Sequence, residues 1–149
     1  MGPARHPVRM HTDRGQTVMR IDLMAGARSN FMKIAPIIDA LKAAESRSGS
    51  LRFRLIHMAQ HYERAMSGSF FEELSTPDPD INLEVGSGTQ AEQTAAIMVA
   101  YEKVLLKEKS DLCLVMGDVT STMACSIVSR KLGVPMTHVR SAYVRATRP

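Results

Sequence analysis

A short apolar run that stops abruptly at a Gly-Asp pair constrains the fold of this chain most. Residues 112–116 read Leu-Cys-Leu-Val-Met, Gly117 and Asp118 follow, and small hydroxyl residues from Thr120 then open a stretch with helical spacing. An apolar run of this length, bounded by a turn signal, is typical of a strand buried on both faces of a parallel sheet. The sequence therefore predicts a buried strand that presents a carboxylate at its carboxyl end.

The same order of strand and helix recurs along the chain. The predicted strands are Met19–Ala25, Leu51–Ala59, Ile81–Val85, Asp111–Met116 and Val134–Val139. Helical spacing lies between them, over about 35–47, from Thr89 past Leu105, and over about 120–132. Such alternation predicts the α/β class, with a Rossmann-like parallel sheet covered by helices on both faces.

Three local signals define the helix boundaries. Pro36 is tolerated in a first turn, so the first regular helix is expected to start near Ala35, after a loop from Gly26 to Ile34. Thr89 and Glu92 have the spacing of a capping box, and Gly133 is a natural stop for the last helix. The expected core-facing residues of the middle helix are Ala95, Met98, Val99, Val104 and Leu105.

Composition and charge limit the classes of function that this chain can have. The chain has 149 residues, which suits one domain, and a net charge of +4. Four arginines fall in the first twenty residues and three in the last ten, so basic ends flank a slightly acidic body. Duplex binding needs a basic stripe on a folded face, and we therefore expect no nucleic-acid partner. Cys113 and Cys125 are predicted to be buried apolar residues rather than a disulfide or metal pair.

The sequence also bears on localisation and on metal binding. No apolar run reaches the length of a membrane span, and the arginine-rich start has no continuous apolar core of a secretory signal. The expected compartment is the cytoplasm, with no membrane partner. No spacing of His, Cys and carboxylate residues predicts a metal site, and no cofactor is expected.

The candidate site follows from where such sheets bind ligands. Ligands bind beyond the carboxyl ends of the strands where the strand order reverses, commonly between the first and fourth strands. That rule brings together Arg28, Lys33 and Asp118, two cations and a carboxylate suited to an anionic ligand. From spacing alone, an Asp118 that caps its helix and pairs with Arg28 is an equally good interpretation.

Other candidates carry weaker signals. His57, inside the second strand, is interpreted as a core or surface histidine, whereas His61, beyond its end, suits a ligand contact or a loop cap equally well. The segment Gly86-Ser87-Gly88 lacks the lysine of a phosphate loop, so a flexible hinge is the favoured interpretation.

Four segments together resemble a known family. They are Gly26–Pro36, Ala59-Gln60-His61, Val115–Thr122 and Val134–Val139. In order and spacing they resemble the non-hydrolysing UDP-N-acetylglucosamine 2-epimerases, over about residues 19–139. The resemblance implies the amino-terminal half of a glycosyltransferase-B-type fold, in which a nucleotide sugar binds between two Rossmann-like halves.

The resemblance also implies an activity and residue roles. The activity is interconversion of UDP-N-acetylglucosamine and UDP-N-acetylmannosamine, through loss of the C2 proton, loss of UDP and re-addition. Arg28 and Lys33 match cationic positions that stabilise the diphosphate, and Asp118 matches the catalytic aspartate. Gln60 and His61 match contacts to a second, regulatory UDP-N-acetylglucosamine. A homodimer of the full-length protein and a role in cell-envelope polysaccharide biosynthesis are further implications.

Departures from the family pattern shape the expected domain organisation. Ser87 and Gly88 stand where several members have Arg-Gln, and Arg140 stands at the position of a catalytic glutamate. The expected organisation is a disordered extension over 1–18, the Rossmann-like domain over 19–139 and an aberrant tail over 140–149, with the second domain absent. Because codons for 142–148 can spell the family's Leu-Arg-Ser-Gly-Asp in another frame, the tail is hypothesised to reflect a frameshift.

The fragment is accordingly expected to be inactive alone. Two other functions fit the same architecture: half of a nucleotide-sugar glycosyltransferase, or a non-catalytic UDP-sugar-binding module. A truncated product without function is the remaining alternative.

Overall fold

The computed structural model describes residues 11–13, 15–26, 31–58, 78–116 and 120–139. Within these ranges it contains six strands and three helices, numbered here in chain order. The strands are β1 (His11–Asp13), β2 (Gln16–Ala25), β3 (Leu51–His57), β4 (Ile81–Asn82), β5 (Leu112–Met116) and β6 (Met136–Val139). The helices are α1 (Phe31–Ser48), α2 (Gln90–Lys107) and α3 (Thr120–Lys131).

One sheet contains all the strands, in the order β4-β3-β2-β5-β6 with β1 attached to β2. β1 pairs antiparallel with β2, and every other pair is parallel. The chain moves outward from β2 to β3 and β4, and then crosses back to β5 and β6. The strand order therefore reverses between β2 and β5, and the predicted parallel α/β sheet is confirmed.

The helices cover both faces of the sheet because each central strand alternates its side chains between two apolar clusters. The α1 face holds Leu23, Ala25, Ile34, Ile38, Leu55 and Met116. The other face packs under α2 and α3 and holds Met24, Ile56, Met58, Ile97, Tyr101, Leu105, Cys113, Val115, Ala124, Cys125, Val128 and Val134.

The two cysteines are free and buried, as predicted for small apolar residues. Burial raises the pKa of the Cys113 thiol to about 11, so this group stays neutral at physiological pH. Burial also raises the pKa of the Cys125 thiol. Neutral, buried thiols pack in the sheet as ordinary core residues.

A buried carboxylate in β2 links three elements. Asp22 is fully buried, and its two oxygens accept hydrogen bonds from Nε and Nη2 of Arg54 on β3, at 2.7 and 3.0 Å. The Tyr101 hydroxyl on α2 donates to the same carboxylate at 2.9 Å. Burial by itself lowers the pKa of Arg54, but the hydrogen bond and charge of Asp22 raise it above its ordinary value. The guanidinium thus stays charged, and the pair is satisfied on both sides.

Glu108, just past the end of α2, extends this network toward solvent. One of its carboxylate oxygens accepts from Arg54 at 3.2 Å, and the other lies 2.7 Å from Nη2 of Arg20. Asp111 closes the same end of the sheet, because its carboxylate accepts from the Arg20 main-chain N–H at 2.8 Å. The amino-terminal edge of the sheet is therefore held by ionic contacts.

Two predictions about the start of the fold were wrong. Residues 11–13 and 16–18, expected in a disordered extension, form an antiparallel hairpin in which Gly15 adopts the left-handed φ of +82° that its turn requires. The paired segment His11–Asp13 has no apolar residue, so no hydrophobic periodicity predicts it from the sequence. The rest of the expected extension, and the tail over 140–149, lie outside the described residues.

The start of α1 was also predicted too late. The helix begins at Phe31, with Pro36 inside it, rather than near Ala35. Burial of Ile34 and Ile38, one turn apart on the sheet face, favours the earlier start and offsets the main-chain donor that Pro36 lacks.

Three strand boundaries and one helix face also differ from the predictions. β4 ends at Asn82 rather than Val85, because the Asn82 side chain accepts from the Glu84 N–H at 3.0 Å and Glu84 takes a left-handed φ of 52°. β3 ends at His57 and β6 begins at Met136, both slightly shorter than expected. On α2 the buried residues are Ile97, Tyr101 and Leu105; Leu105 was predicted, whereas Ala95 and Val99 are exposed.

Within the described ranges, no helix combines the length and hydropathy needed to cross a membrane.

We predict that Arg54→Met destabilises the fold by about 3–5 kcal/mol, because it leaves the buried Asp22 charge without its partner. Urea unfolding followed by circular dichroism measures the change. The matched control is Arg52→Met on the same strand, where the side chain is 63% exposed against 13% for Arg54 and lies 3.7 Å from Glu45. That exposed pair is expected to contribute under about 1 kcal/mol. Equal losses in the two variants would contradict a special role for Asp22.

Candidate active site

The carboxyl ends of β2 and β5 lie side by side at the point of strand reversal. Leu23 pairs with Leu114 in register, and both strands continue two residues further, to Ala25 and Met116. Adjacent strands in a sheet lie about 4.8 Å apart. The segments that leave these two strands therefore start as neighbours at one edge.

The two connections out of these strands are short. Five residues separate Ala25 from the start of α1, and three separate Met116 from the start of α3. Arg28 is in the first connection and Asp118 in the second, and both residues lie outside the described residues. The structure thus establishes that their segments leave the same edge from adjacent strands, and the contact between the two side chains stays a prediction.

Lys33 is the one predicted catalytic residue that the structure describes. It lies in the first turn of α1 and is exposed. The start of α1 follows the carboxyl end of β2 after five residues, so Lys33 lies at the strand-reversal edge of the sheet. This position suits the predicted contact with an anion.

The start of α2 is built by a full capping box. The Thr89 side chain accepts from the Glu92 N–H at 3.2 Å, and the Glu92 carboxylate accepts from the Thr89 N–H at 2.8 Å. Gly88 packs closely on this glutamate, since a Cβ added to it would lie 2.8 Å from the Glu92 carboxylate oxygen and 3.2 Å from the Glu92 Cβ. The predicted capping box is confirmed.

A side-chain hydrogen bond joins the beginnings of two helices at this edge. The Thr120 hydroxyl, at the start of α3, donates to the Gln90 amide oxygen, at the start of α2, at 3.1 Å. The Thr122 hydroxyl donates to the Met116 carbonyl at 3.3 Å and so ties α3 back to the end of β5. Helix amino termini carry partial positive charge and free N–H groups, so their convergence favours an anionic ligand.

The end of β3 leads into the segment that contains the remaining predicted ligand contacts. β3 ends at His57, which is buried as predicted for a core histidine, and Met58 follows it into the core. The main-chain N–H groups of Leu83 and Val85 donate to the carbonyls of His57 and Met58, at 2.8 and 3.2 Å. The predicted ligand contacts Gln60 and His61 follow Met58 after one intervening residue, and they lie outside the described residues.

Sequence reasoning missed two structural interactions. The Asp22–Arg54 pair had a signal, since an aspartate inside an otherwise apolar strand needs a buried partner. The Gln90–Thr120 contact had none, because its residues are thirty positions apart and ordinary for helix starts.

These features define a class: a Rossmann-like α/β domain whose strand-reversal edge, lined by helix amino termini, suits a phosphate-bearing ligand. The sequence profile of a family described as UDP-N-acetylglucosamine 2-epimerase matches residues 42–142, more than half of the chain. The chain belongs to this family, and the resemblance stated above is confirmed.

Individual relatives agree with the family profile. A UDP-N-acetylglucosamine 2-epimerase of Methanocaldococcus jannaschii is 40% identical over 123 residues, which are 83% of this chain and 32% of that protein. A UDP-2,3-diacetamido-2,3-dideoxy-D-glucuronate 2-epimerase of Pseudomonas aeruginosa is 35% identical over 123 residues, 83% of this chain and 34% of that protein. The chain thus spans about a third of the length of the curated relatives it matches.

A solved structure matches the fold. The crystal structure of the Methanocaldococcus jannaschii UDP-GlcNAc 2-epimerase, in complex with UDP-GlcNAc and UDP, superposes with a TM-score of 0.72 at 40% identity. The match covers 81% of this chain and 32% of that one. The Rossmann-like architecture derived from the strand order is therefore the architecture of this part of the family.

We predict that Thr89→Ala destabilises the chain by about 1 kcal/mol, because one half of the capping box is lost. The free energy of unfolding in urea measures the loss. The neighbouring exposed Ser87→Ala is the matched control and is expected to change stability by less than about 0.5 kcal/mol. A Thr89→Ala variant as stable as the control would mean that the box does not anchor α2.

Proposed function

We propose that this chain supplies one side of the active site of an epimerase that interconverts UDP-N-acetylglucosamine and UDP-N-acetylmannosamine. The observation that supports the proposal best is the reversal of strand order between β2 and β5, where the segments bearing Arg28 and Asp118 leave adjacent strands. Family membership supplies the reaction class. A glycosyltransferase half and a UDP-sugar-binding module would have the same architecture. Family membership favours the epimerase over both.

The reaction must overcome a poorly acidic C2–H bond. A base removes the C2 proton, the electron pair forms a C1–C2 double bond, and the C1–O bond breaks to release UDP. UDP then adds back at C1 while a proton returns to C2 from the opposite face. A positioned proton-transfer group and stabilisation of the departing diphosphate are the two contributions a protein makes to such a step.

We assign these contributions to the predicted residues. Asp118 is proposed as the catalytic carboxylate that takes part in proton transfer. Arg28, with its planar fork of donors, and Lys33, a point charge, are proposed to bind the diphosphate and stabilise its charge as the C1–O bond breaks. The amino termini of α1 and α3 add partial positive charge at the same edge.

Further properties are proposed on the resemblance alone. Gln60 and His61 are proposed to contact a second, regulatory UDP-N-acetylglucosamine. We also propose that the protein works in the cytoplasm as a homodimer and serves cell-envelope polysaccharide biosynthesis. No metal or organic cofactor enters the proposed reaction.

The identity of the sugar has one specific competitor. The relative of Pseudomonas aeruginosa, at 35% identity, is named for a diacetamido uronate sugar carried on UDP. Both sugars present an acetamido group at C2 and a diphosphate at C1, so the residues proposed here suit either. The two are distinguished at C3 and C6, and both substrates belong in the assay.

We predict that a chimera carrying residues 16–139 of this chain, in place of the matching segment of the Methanocaldococcus jannaschii relative, interconverts the two UDP sugars. In this chimera Asp118→Asn is expected to lower kcat by about 10²–10⁴-fold, because a neutral amide cannot transfer the C2 proton. Exchange of the C2 proton with deuterated solvent, followed by NMR, measures the step. Asp39→Asn, an exposed carboxylate on α1, is the matched control.

Two outcomes would contradict the assignment. Turnover that survives Asp118→Asn unchanged removes that residue from catalysis, and transfer of the sugar to an acceptor instead of epimerisation favours the glycosyltransferase. The same chimera tests position 140, where this chain has Arg140 in place of the family's catalytic glutamate. A chimera that includes Arg140 is expected to lose proton exchange, and Arg140→Glu is expected to restore it.

We also predict that the 149-residue chain binds UDP-N-acetylglucosamine weakly. The proposed cleft encloses its ligand from two halves, and one half contributes only part of the contacts and burial that binding needs. Isothermal titration calorimetry is expected to give a dissociation constant far above micromolar. Submicromolar binding would contradict a cleft shared by two halves, and Lys33→Met, expected to weaken any residual binding, tests the site.

A further inference from the structure

Gln90, the first residue of α2, contacts the first residue of α3. Its side-chain amide oxygen accepts a hydrogen bond from the Thr120 hydroxyl at 3.1 Å. Three residues separate Thr120 from Met116, the last residue of β5, and Asp118 is one of them. The bond from α2 therefore reaches the point where the connection that carries Asp118 enters its helix.

The described residues on both sides of this connection are held in place. Met116 is buried in the apolar cluster under α1, and its carbonyl accepts from the Thr122 hydroxyl at 3.3 Å. That bond joins α3 to its own strand, whereas the bond between Gln90 and Thr120 joins α3 to a different helix. The two bonds together restrict the start of α3 in two directions.

α2 is itself attached firmly to the sheet. The Tyr101 hydroxyl in its middle donates to the buried Asp22 carboxylate at 2.9 Å, and Glu108 beyond its end accepts from Arg54 at 3.2 Å. The capping box orders its first turn, where Gln90 lies. A side chain positions another group well only when its own element is held in this way. Gln90 meets that condition.

From these contacts we propose that Gln90 is a positioning residue for the epimerase reaction. Through Thr120 it fixes the start of α3, and with it the carboxylate of Asp118 relative to the C2 proton of the substrate. The inference rests on the role proposed above for Asp118. A base must lie within hydrogen-bond reach of the proton that it removes, and a misplacement of about 1 Å costs about 10²-fold in rate. Gln90 acts on proton transfer without contacting the substrate.

The kinetic test uses the chimera that carries residues 16–139 of this chain. Gln90→Leu is expected to lower kcat about tenfold or more with KM unchanged, because the base is displaced while the diphosphate contacts remain. With substrate deuterated at C2, the isotope effect on kcat is expected to rise, since proton transfer then limits turnover. Gln90→Glu keeps an acceptor oxygen and is expected to retain most of the activity. Gln93→Leu, the same change one turn further along α2, is the matched control.

The partner residue gives a second, independent set of variants. Thr120→Val replaces the hydroxyl by a methyl group of similar size and is expected to lower kcat as Gln90→Leu does, whereas Thr120→Ser is expected to keep the activity. The double variant Gln90→Leu/Thr120→Val is expected to lose no more than either single variant, because both changes remove one and the same bond. Losses that multiply would mean that the two residues act separately, and would overturn the proposal.

Amide hydrogen exchange in the 149-residue chain tests the contact without substrate. The N–H groups of residues 124–126 are the first in α3 to donate to carbonyls of its first turn. Gln90→Leu is expected to speed their exchange about threefold relative to Gln93→Leu, because the start of α3 loses a hydrogen bond that holds it. Equal exchange in the two variants would overturn the proposal whether or not the chimera is active.

The kinetic outcomes separate this inference from the proposed function. Turnover that depends on Asp118 but not on Gln90 overturns the positioning role alone, and so does a Gln90→Leu variant in which KM rises while kcat is unchanged. A lower kcat with an unchanged isotope effect also overturns it, because that pattern reflects a smaller active fraction rather than slower proton transfer. Turnover that is unaffected by Asp118→Asn contradicts the proposed function instead.

Discussion

The buried carboxylate of Asp22 is the constraint on which the packing of the sheet depends. It lies in the central strand, and its bonds to Arg54 and Tyr101 fix β2 against β3 and α2 together. A buried charge is costly unless its oxygens accept hydrogen bonds. The hydrogen bonds to Asp22 therefore restrict how β2, β3 and α2 can pack against one another. The ionic groups lie toward the amino-terminal part of the sheet, and the carboxyl edge is left for ligand chemistry.

The class of fold could be predicted because the evidence for it is local. Apolar runs, helical spacing and the capping box at Thr89 each depend on neighbouring residues, and the strand order then follows from the rules for parallel sheets. The hairpin at His11–Asp13 could not be predicted, since it depends on main-chain pairing with β2. The outward orientation of Ala95 and Val99 also escaped prediction, because apolar residues lie on both faces of α2 and spacing alone does not choose between them.

The candidate site, like the fold, could be predicted from the sequence only in part. The meeting of the first and fourth predicted strands was deduced from a general rule about strand reversal, and the pairing of β2 with β5 agrees with it. The roles of Arg28, Lys33 and Asp118 came from resemblance, because a cation or a carboxylate after a strand is chemically consistent with both capping and catalysis. The bond between Gln90 and Thr120 depends on how two helices pack, and no short stretch of sequence encodes that.

The brevity of β4 has a consequence for solubility. This outer strand contributes only two residues, and the left-handed φ of 52° at Glu84 interrupts its regular extension, although Val85 still donates to the Met58 carbonyl. A foreign β-segment that approached this border would find too few main-chain donors and acceptors in line to form a continuous ladder. Runaway edge-to-edge aggregation is disfavoured on this side.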